Sequence, residues 1–401
     1  MRWLCGLCLF LWVLPLAAKS SYEVEYRLSF DAKSKVVRGE IRLGKGADRV
    51  RGLNLKFGKA YSQIKADGTL KAEGERMLWT PPKQGGSLRY QVRIDEKRAD
   101  GTYRSYFPGD WAIFRGDRVF PSARVRAVKG ARADARLRFD LPQGWHVDTP
   151  YFPAPDGRFL VEDPERNFDR PVGWMAVGEI GTRREVIAGT EIALAAPKGE
   201  GMRRLDTLAL LNYNLPAMKD AFGSLPAKIL IVSAPDPMWR GGLSAPRSLF
   251  LHLDRPMLSE NATSTLLHEL THVATRIRGQ APQDDWLAEG IAEFYGVELL
   301  HRTGGITDER LARLEDDLRQ WSGKVKSLRV PRSYGPITAR ATLLLFAVDR
   351  EIRERSKDRR SLDDVTRILI RERKVSTAEF IAACEKIVGG KLKTLDTPLL
   401  R

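Results

Sequence analysis

Residues 266–275 read LLHELTHVAT and place His268 and His272 four positions apart, with Glu269 directly after the first histidine. Residues at positions i and i+4 share one face of an α-helix, so both imidazoles can approach one ion. Apolar residues recur at helical spacing on the same segment and predict a buried stripe. They are Leu266, Leu270, Val273 and Ile277. We therefore expect a buried helix that ends near Gly279 and Pro282.

The pattern H-E-x-x-H is typical of zinc hydrolases, in which the glutamate takes a proton from a bound water. A catalytic zinc site needs three protein ligands and one open position, so a third ligand is required. Residues 284–296, DDWLAEGIAEFYG, predict a second helix with Asp284 or Asp285 at its N-terminus. Glu289 lies 17 positions after His272, which allows one short loop and an antiparallel return over the ion.

Two further residues of this second helix support a site. Glu293 follows Glu289 by one turn and can orient the His268 imidazole through its other ring nitrogen. Gly290 predicts a close approach of the two helices. The alternative interpretation is a surface helix with solvated histidines, which does not explain a glutamate-bearing helix at hairpin distance.

The segments HELTHVAT (268–275) and WLAEGIAEFYG (286–296) resemble those of the gluzincin metallopeptidases, the group of thermolysin and the aminopeptidase N relatives. The likeness is greatest to the glycyl aminopeptidase-like branch. It extends to RGGLSAPRS (240–248) and to the stretch over 343–365, so it covers roughly residues 200–375. We expect no PDZ module, although that branch often has one.

The resemblance implies a zinc metallopeptidase with one Zn²⁺ per chain and a peptide or protein substrate. His268, His272 and Glu289 would be the zinc ligands, and Glu269 would be the general base that acts on a zinc-bound water and later protonates the leaving amine. The alternative is a non-catalytic exported binding module in which zinc has only a structural role. Retention of Glu269 argues against that alternative, because a structural site has no use for a base.

Two positions depart from the family pattern. In the aminopeptidase relatives the Gly-pair strand carries a glutamate that holds the substrate's free amine, and here that position is Ser244. We expect substrate to bind along the strand, and endopeptidase or narrow-specificity cleavage is favoured over aminopeptidase action. The strand residues concerned are Gly241, Gly242, Leu243 and Ser244.

The second departure concerns stabilisation of the developing oxyanion. The relatives use a tyrosine, and the matching position here is Thr338. Tyr334 lies four residues earlier, one helical turn, and is a candidate hydroxyl donor for catalysis; the alternative is a packing role. Arg340 is a further candidate, with a solvated surface arginine as its alternative.

The chain reads as an α+β protein. Residues 22–30, YEVEYRLSF, alternate apolar and polar, and further short runs with turn signals predict an antiparallel β-sandwich-like domain over 21–195. From there the pattern becomes mixed and then helical. By resemblance we expect a thermolysin-like, mostly helical catalytic domain with C-terminal helices over 196–401.

Residues 1–20 have a basic start, a short apolar run and small residues at 18 and 20, which predict a cleaved signal peptide. An uncleaved anchor is the alternative. Cys5 and Cys8 would leave with that segment, so Cys384 would remain alone and a disulfide scaffold is excluded. We expect export, to the periplasm or alternatively by secretion.

The formal charge of +16 does not indicate nucleic acid as a partner for an exported protein. Because the charge is spread along the chain, it is typical of a solvated basic surface. It also allows weak attraction to an anionic membrane or cell-wall surface. The sequence leaves the oligomeric state and the substrate's identity open.

Overall fold

The computed structural model describes residues 21–162 and 168–401, so the predicted signal peptide over 1–20 lies outside the described residues. The N-terminal half consists mainly of strands, with a 3-10 turn at Ala47–Arg49 and one short α-helix. These are β1 (Ser21–Asp31), β2 (Val36–Leu43), β3 (Val50–Lys56), β4 (Tyr61–Ala66), β5 (Thr69–Glu73), β6 (Arg76–Thr80), β7 (Gly86–Val92), β8 (Trp111–Arg115), α1 (Gly116–Val119), β9 (Ser122–Ala127), β10 (Arg132–Asp140), β11 (His146–Asp148), β12 (Phe159–Val161) and β13 (Trp174–Gly178).

The second half begins with strands and continues with helices. Its elements are β14 (Ile180–Ile187), β15 (Thr190–Pro197), α2 (Arg204–Phe222), β16 (Lys228–Ala234), β17 (Gly242–Ala245), β18 (Ser248–His252), α3 (Thr265–Thr275), β19 (Arg278–Gly279), α4 (Asp285–Arg302), α5 (Asp308–Ser322), α6 (Pro336–Ser356), α7 (Leu362–Glu372), β20 (Lys374–Val375) and α8 (Thr377–Val388).

The N-terminal half forms a six-stranded sheet in the order β12-β10-β1-β2-β7-β4 and a four-stranded sheet in the order β5-β6-β3-β9. Apolar residues of β1 at alternate positions are buried between these sheets, as the sequence alternation predicts. The pairing of β1 with β10 is parallel, so the predicted purely antiparallel domain is wrong at this position. Sequence alternation indicates which face is buried but not the direction of the neighbouring strand.

A three-stranded sheet, β11-β13-β8, joins the two halves. Its middle strand, β13, places the side chains of Met175 and Val177 in the N-terminal core. The side chains of Trp174 and Ala176 lie on the other face, in a second core against the next sheet. That next sheet has five strands in the order β14-β15-β16-β18-β17. The predicted domain boundary at 195/196 falls inside β15, which pairs with β14 and with β16.

Helices cover the other face of the five-stranded sheet, where α2, α3, α4 and α6 share one large apolar core with it. The segment that contains the glycine pair forms a hairpin of β17 and β18. The hairpin turns at Arg247, whose φ is 54°. It leaves β17 at the open edge of the sheet.

Among the helices of the described residues, none combines the length and the apolar composition that a membrane span requires.

Asp284 holds the start of α4 to the start of α8. The Thr377 backbone N–H and hydroxyl each donate to Asp284 Oδ1 over 2.9 Å, and Arg329 forms an ion pair with the same carboxylate. Burial opposes ionisation, but the hydrogen bonds from Thr377 outweigh it and lower the pKa of Asp284 below its ordinary value. A lowered pKa contributes stability that is present above the ordinary pKa and lost as the pH falls.

We predict that Asp284→Ala lowers the free energy of unfolding by about 2–4 kcal/mol, because Thr377 and Arg329 lose a buried charged partner. Urea titration at pH 7 measures the change. The same substitution at the exposed Asp220 is the control. The loss should shrink as the pH falls towards 3, because the carboxyl of the unfolded chain then binds protons more readily than the folded Asp284, whose pKa is lowered. A full loss that persists at pH 3 would contradict a role for its charge.

Candidate metal centre

Helix α3 carries both histidines, and its ends are fixed by local interactions. The Ser264 hydroxyl accepts a hydrogen bond from the Leu267 N–H over 3.4 Å, which caps the N-terminus. Arg276 adopts a left-handed conformation with φ 55° and ends the helix. The helix is therefore shorter than the sequence predicts, since it stops before Gly279. The predicted apolar stripe is buried.

Helix α4 packs against α3 and brings Glu289 to the histidines. Gly296 lies at this contact, where a β-carbon would be in ordinary van der Waals contact with the His268 backbone nitrogen at 3.4 Å. The prediction that Gly290 serves this contact is wrong. A β-carbon on Gly290 would instead meet Ala341 Cβ of α6 at 2.9 Å.

The structure brings together the three predicted metal ligands. His268 Nε2 and His272 Nε2 lie 3.2 Å apart, and each lies 3.6 Å from a carboxylate oxygen of Glu289. A tetrahedral zinc ion with bonds of about 2.0–2.1 Å holds its ligand atoms about 3.3 Å apart. Two imidazoles and a carboxylate at these separations therefore fit a zinc ion.

Glu293 lies where the sequence predicts. Its Oε2 atom lies 2.8 Å from His268 Nδ1, the ring nitrogen that faces away from Glu289. Burial disfavours a charged His268, but hydrogen bonds to Glu289 and Glu293 raise the pKa of the imidazole well above its ordinary value. The same histidines hold the pKa of Glu289 well below its ordinary range, although burial opposes this. The carboxylates thus concentrate negative charge around the two imidazoles.

Glu269 is 8% exposed and lies between α3 and the edge strand β17. A β-carbon on Gly242 would lie 2.7 Å from Glu269 Cγ and 3.0 Å from Glu269 Oε1. Only a glycine lets β17 approach the helix this closely while Glu269 keeps its position. Gly242 therefore fixes the space available to the Glu269 carboxylate.

A cavity of about 950 Å³ opens in front of these residues. The ligands His268, His272 and Glu289 line it together with Glu269. Of the four predicted substrate-binding residues, Gly242, Leu243 and Ser244 line this cavity. Gly241 does not, because its carbonyl accepts from the His252 N–H over 3.0 Å and faces β18.

A second cavity of about 670 Å³ shares His268 and Glu289 with the first and extends between α4, α5 and α6. Tyr334 lines both cavities and is 68% exposed. It precedes α6, so it is not one helical turn before Thr338 as the sequence predicts. Thr338 lines the second cavity, whereas Arg340 lines a separate cavity and is not brought to the metal centre.

Several residues around the centre were not predicted from the sequence. Trp321 lines the second cavity, and Trp239 and four arginines line the first. One of these arginines, Arg115, comes from the end of β8 in the N-terminal half. These residues belong to no shared motif, and only the tertiary packing brings them to the metal ligands.

We predict that Glu293→Gln weakens zinc binding about 10–100-fold, because the amide orients and polarises the His268 imidazole less well than the carboxylate. Competition with a chromophoric chelator measures the zinc dissociation constant. Glu260→Gln, at an exposed position before α3, is the matched control. An affinity equal to that of the parent chain would contradict the orienting role.

A search with the sequence found no matching family model and no matching curated protein.

Solved structures do match the fold. A protein of the aminopeptidase N family from Idiomarina loihiensis has 15% identity and a TM-score of 0.69, over 90% of this chain and 72% of that chain. An M1 zinc metallopeptidase from Deinococcus radiodurans has 15% identity and a TM-score of 0.58, over 95% and 93%. A variant of a two-domain M1 zinc metallopeptidase bound to L-arginine has 14% identity and a TM-score of 0.59, over 95% and 94%.

Identities of this size show the fold alone. The two halves of the chain together are similar to the two-domain architecture of the M1 zinc metallopeptidases. The resemblance to the gluzincin group, which the motif residues carry, is confirmed at that level.

Proposed function

We propose that the chain is a zinc-dependent peptidase. The observation that carries this proposal is the placement of Glu269 in the wall of a large cavity beside three converging metal ligands. The fold is that of proteins named zinc metallopeptidases, which supports the same conclusion. We also propose that residues 196–401 form the thermolysin-like catalytic unit, since all the ligands lie there.

His268, His272 and Glu289 would hold the zinc ion, which when bound would polarise a substrate carbonyl and make water more acidic. Among the described residues, no other group of three or more potential metal-ligating side chains lies close together. A structural zinc site is closed by four protein ligands. A set of three with an adjoining cavity therefore favours the peptidase over the alternative of a binding module with structural zinc.

Glu269 would act as the general base. It would accept a proton from the attacking water and later donate it to the departing amine nitrogen. Its burial against Gly242 holds the carboxylate in one place between the substrate strand and the metal ligands. Tyr334 would donate its hydroxyl to the negative charge that develops on the carbonyl oxygen, since it lines both cavities.

The open edge of β17 is suited to an extended peptide. Because the Gly241 carbonyl faces β18, alternation along the strand turns the backbone groups of Gly242 and Ser244 towards the open edge. A substrate can add there as a further strand and present a backbone carbonyl to the centre. Backbone pairing supplies affinity without selecting a particular sequence.

Ser244 bears on where the peptide is cut. A serine cannot supply the negative charge that would hold a free N-terminal amine, which favours internal or narrow-specificity cleavage. One structural neighbour belongs by name to the aminopeptidase N family, which favours terminal cleavage. We propose internal cleavage because Ser244 is a residue of this chain, whereas the aminopeptidase name belongs to a neighbour of 15% identity.

We also propose export of the mature chain to the periplasm, or alternatively its secretion. Support comes from the apolar run and small residues within 1–20.

We predict that the zinc-loaded parent chain cleaves a diverse peptide pool and that zinc-loaded Glu269→Gln is slower by about 10²–10⁴-fold, because it lacks the base. Mass spectrometry of the products measures both rates and maps each cut. Cuts within N-acetylated peptides would support internal cleavage, whereas cuts restricted to free N-termini would show an aminopeptidase. Equal product formation by both chains would refute the proposed function.

We predict that Gly242→Ala lowers the peptidase rate by about 10²-fold while zinc content is unchanged, because the added methyl displaces Glu269 and not a metal ligand. Activity and zinc content are measured on the same preparation. Gly58→Ala is the control, since a β-carbon at Gly58 meets no atom within 4 Å. A Gly242→Ala chain with parental activity would contradict the proposed position of the base.

A further inference from the structure

Four arginines line the cavity in front of the metal centre: Arg115, Arg276, Arg278 and Arg332. Among the described residues, the carboxylates in this lining are Glu269, Asp285 and Glu289. Arg278 and Arg332 are exposed in the same lining, and a bound zinc ion would add positive charge beside them. Such a lining attracts anions and repels a protonated amine.

Each of the three carboxylates already has a partner or a role. Glu289 belongs to the metal ligands, and Glu269 is confined between Gly242 and α3. Asp285 accepts a hydrogen bond from the Ser333 backbone N–H over 2.8 Å. Ser244, in the edge strand, is uncharged.

Two of the four arginines are available to a ligand. Arg278 and Arg332 are exposed, and neither forms an ion pair or side-chain hydrogen bond within the part of the chain that the structure describes. Arg115 donates from Nε and one terminal nitrogen to Asp117 over 3.1 and 3.0 Å, so its second terminal nitrogen is not used in that pair. The planar guanidinium fork matches the two oxygens of a carboxylate.

We propose that this cavity selects peptides that carry acidic side chains next to the scissile bond, with Arg278 and Arg332 as their main partners. The inference rests on the proposed peptidase function and names its substrate class. The arginines line the same concave space as the metal ligands and the open edge of β17, so their partner must also reach these groups. An extended acidic peptide does so, and the charge of +16 would favour its approach.

Binding is tested on the full zinc-loaded chain with Glu269→Gln, so that no turnover interferes. The probe is an N-acetylated, C-amidated hexapeptide with two glutamates in its N-terminal half, compared by calorimetry with its glutamine counterpart. A third peptide, the glutamine version with a free C-terminal carboxylate, distinguishes side-chain recognition from recognition of the chain end. We expect the glutamate peptide to bind about tenfold or more tightly than both others.

Two double variants change the net charge by the same amount, one inside the cavity and one far from it, and a third variant only neutralises the cavity arginines. Arg278→Glu with Arg332→Glu should abolish the preference, and the neutral pair Arg278→Gln with Arg332→Gln should reduce it. Arg51→Glu with Arg124→Glu, at exposed positions of β3 and β9, should keep it. The proposal is overturned if the glutamate peptide binds the Glu269→Gln chain no more tightly than the two other peptides. It is equally overturned if the cavity variant keeps the preference, or if the distant variant loses it.

Cleavage is measured separately with active chains and the peptide pool. Absence of any Glu269-dependent cut would refute the peptidase function, whereas the calorimetric preference would still report on the cavity. Glu269-dependent cleavage with no calorimetric preference for acidic peptides would overturn only the present inference.

Discussion

The convergence of His268, His272 and Glu289 is the constraint on which the second half of the molecule depends. A helix places the two imidazoles on one face without further help, but the carboxylate must come from another element. The two imidazole nitrogens lie 3.2 Å apart and each lies 3.6 Å from one of the two Glu289 oxygens, which requires α3 and α4 to keep a fixed distance and rotation. Gly296 of α4 lies against the His268 backbone at this contact.

The C-terminal helices hold α4 in this place. Helix α6 packs against Gly290 of α4, and Asp284 ties the start of α4 to α8. At the other end, the Tyr295 hydroxyl donates to Asp363 of α7 over 2.9 Å. The position of Glu289 is therefore set by contacts spread over the last hundred residues of the chain.

The N-terminal half also contributes to the centre. The Trp174 indole donates to the Leu243 carbonyl over 2.8 Å, and the Trp174 backbone N–H donates to the Ser248 hydroxyl over 2.7 Å. These bonds hold the hairpin of β17 and β18, whose edge faces the cavity. Arg115 comes from the next strand of the same three-stranded sheet. The N-terminal half therefore contributes to the wall of the site in addition to having its own hydrophobic core.

The metal ligands could be predicted from the sequence because they follow from local periodicity. The spacing of His268, His272 and Glu289 encodes the helix face and the antiparallel return, and Glu293 follows by one more turn. Contacts between distant segments could not be predicted in this way. Two examples are the parallel pairing of β1 with β10 and the position of Arg115 in the lining of the cavity. Both depend on tertiary packing, which the local spacing of residues does not encode.

X-ray absorption at the zinc edge of the metal-loaded chain measures the proposed ligand set directly. We expect two imidazole nitrogens, one carboxylate and one exchangeable oxygen ligand, with bonds of about 2.0–2.1 Å. Each single replacement of His268, His272 or Glu289 should remove one protein ligand. A zinc ion closed by four protein ligands, or one that keeps its ligands after these substitutions, would contradict the proposed catalytic zinc site.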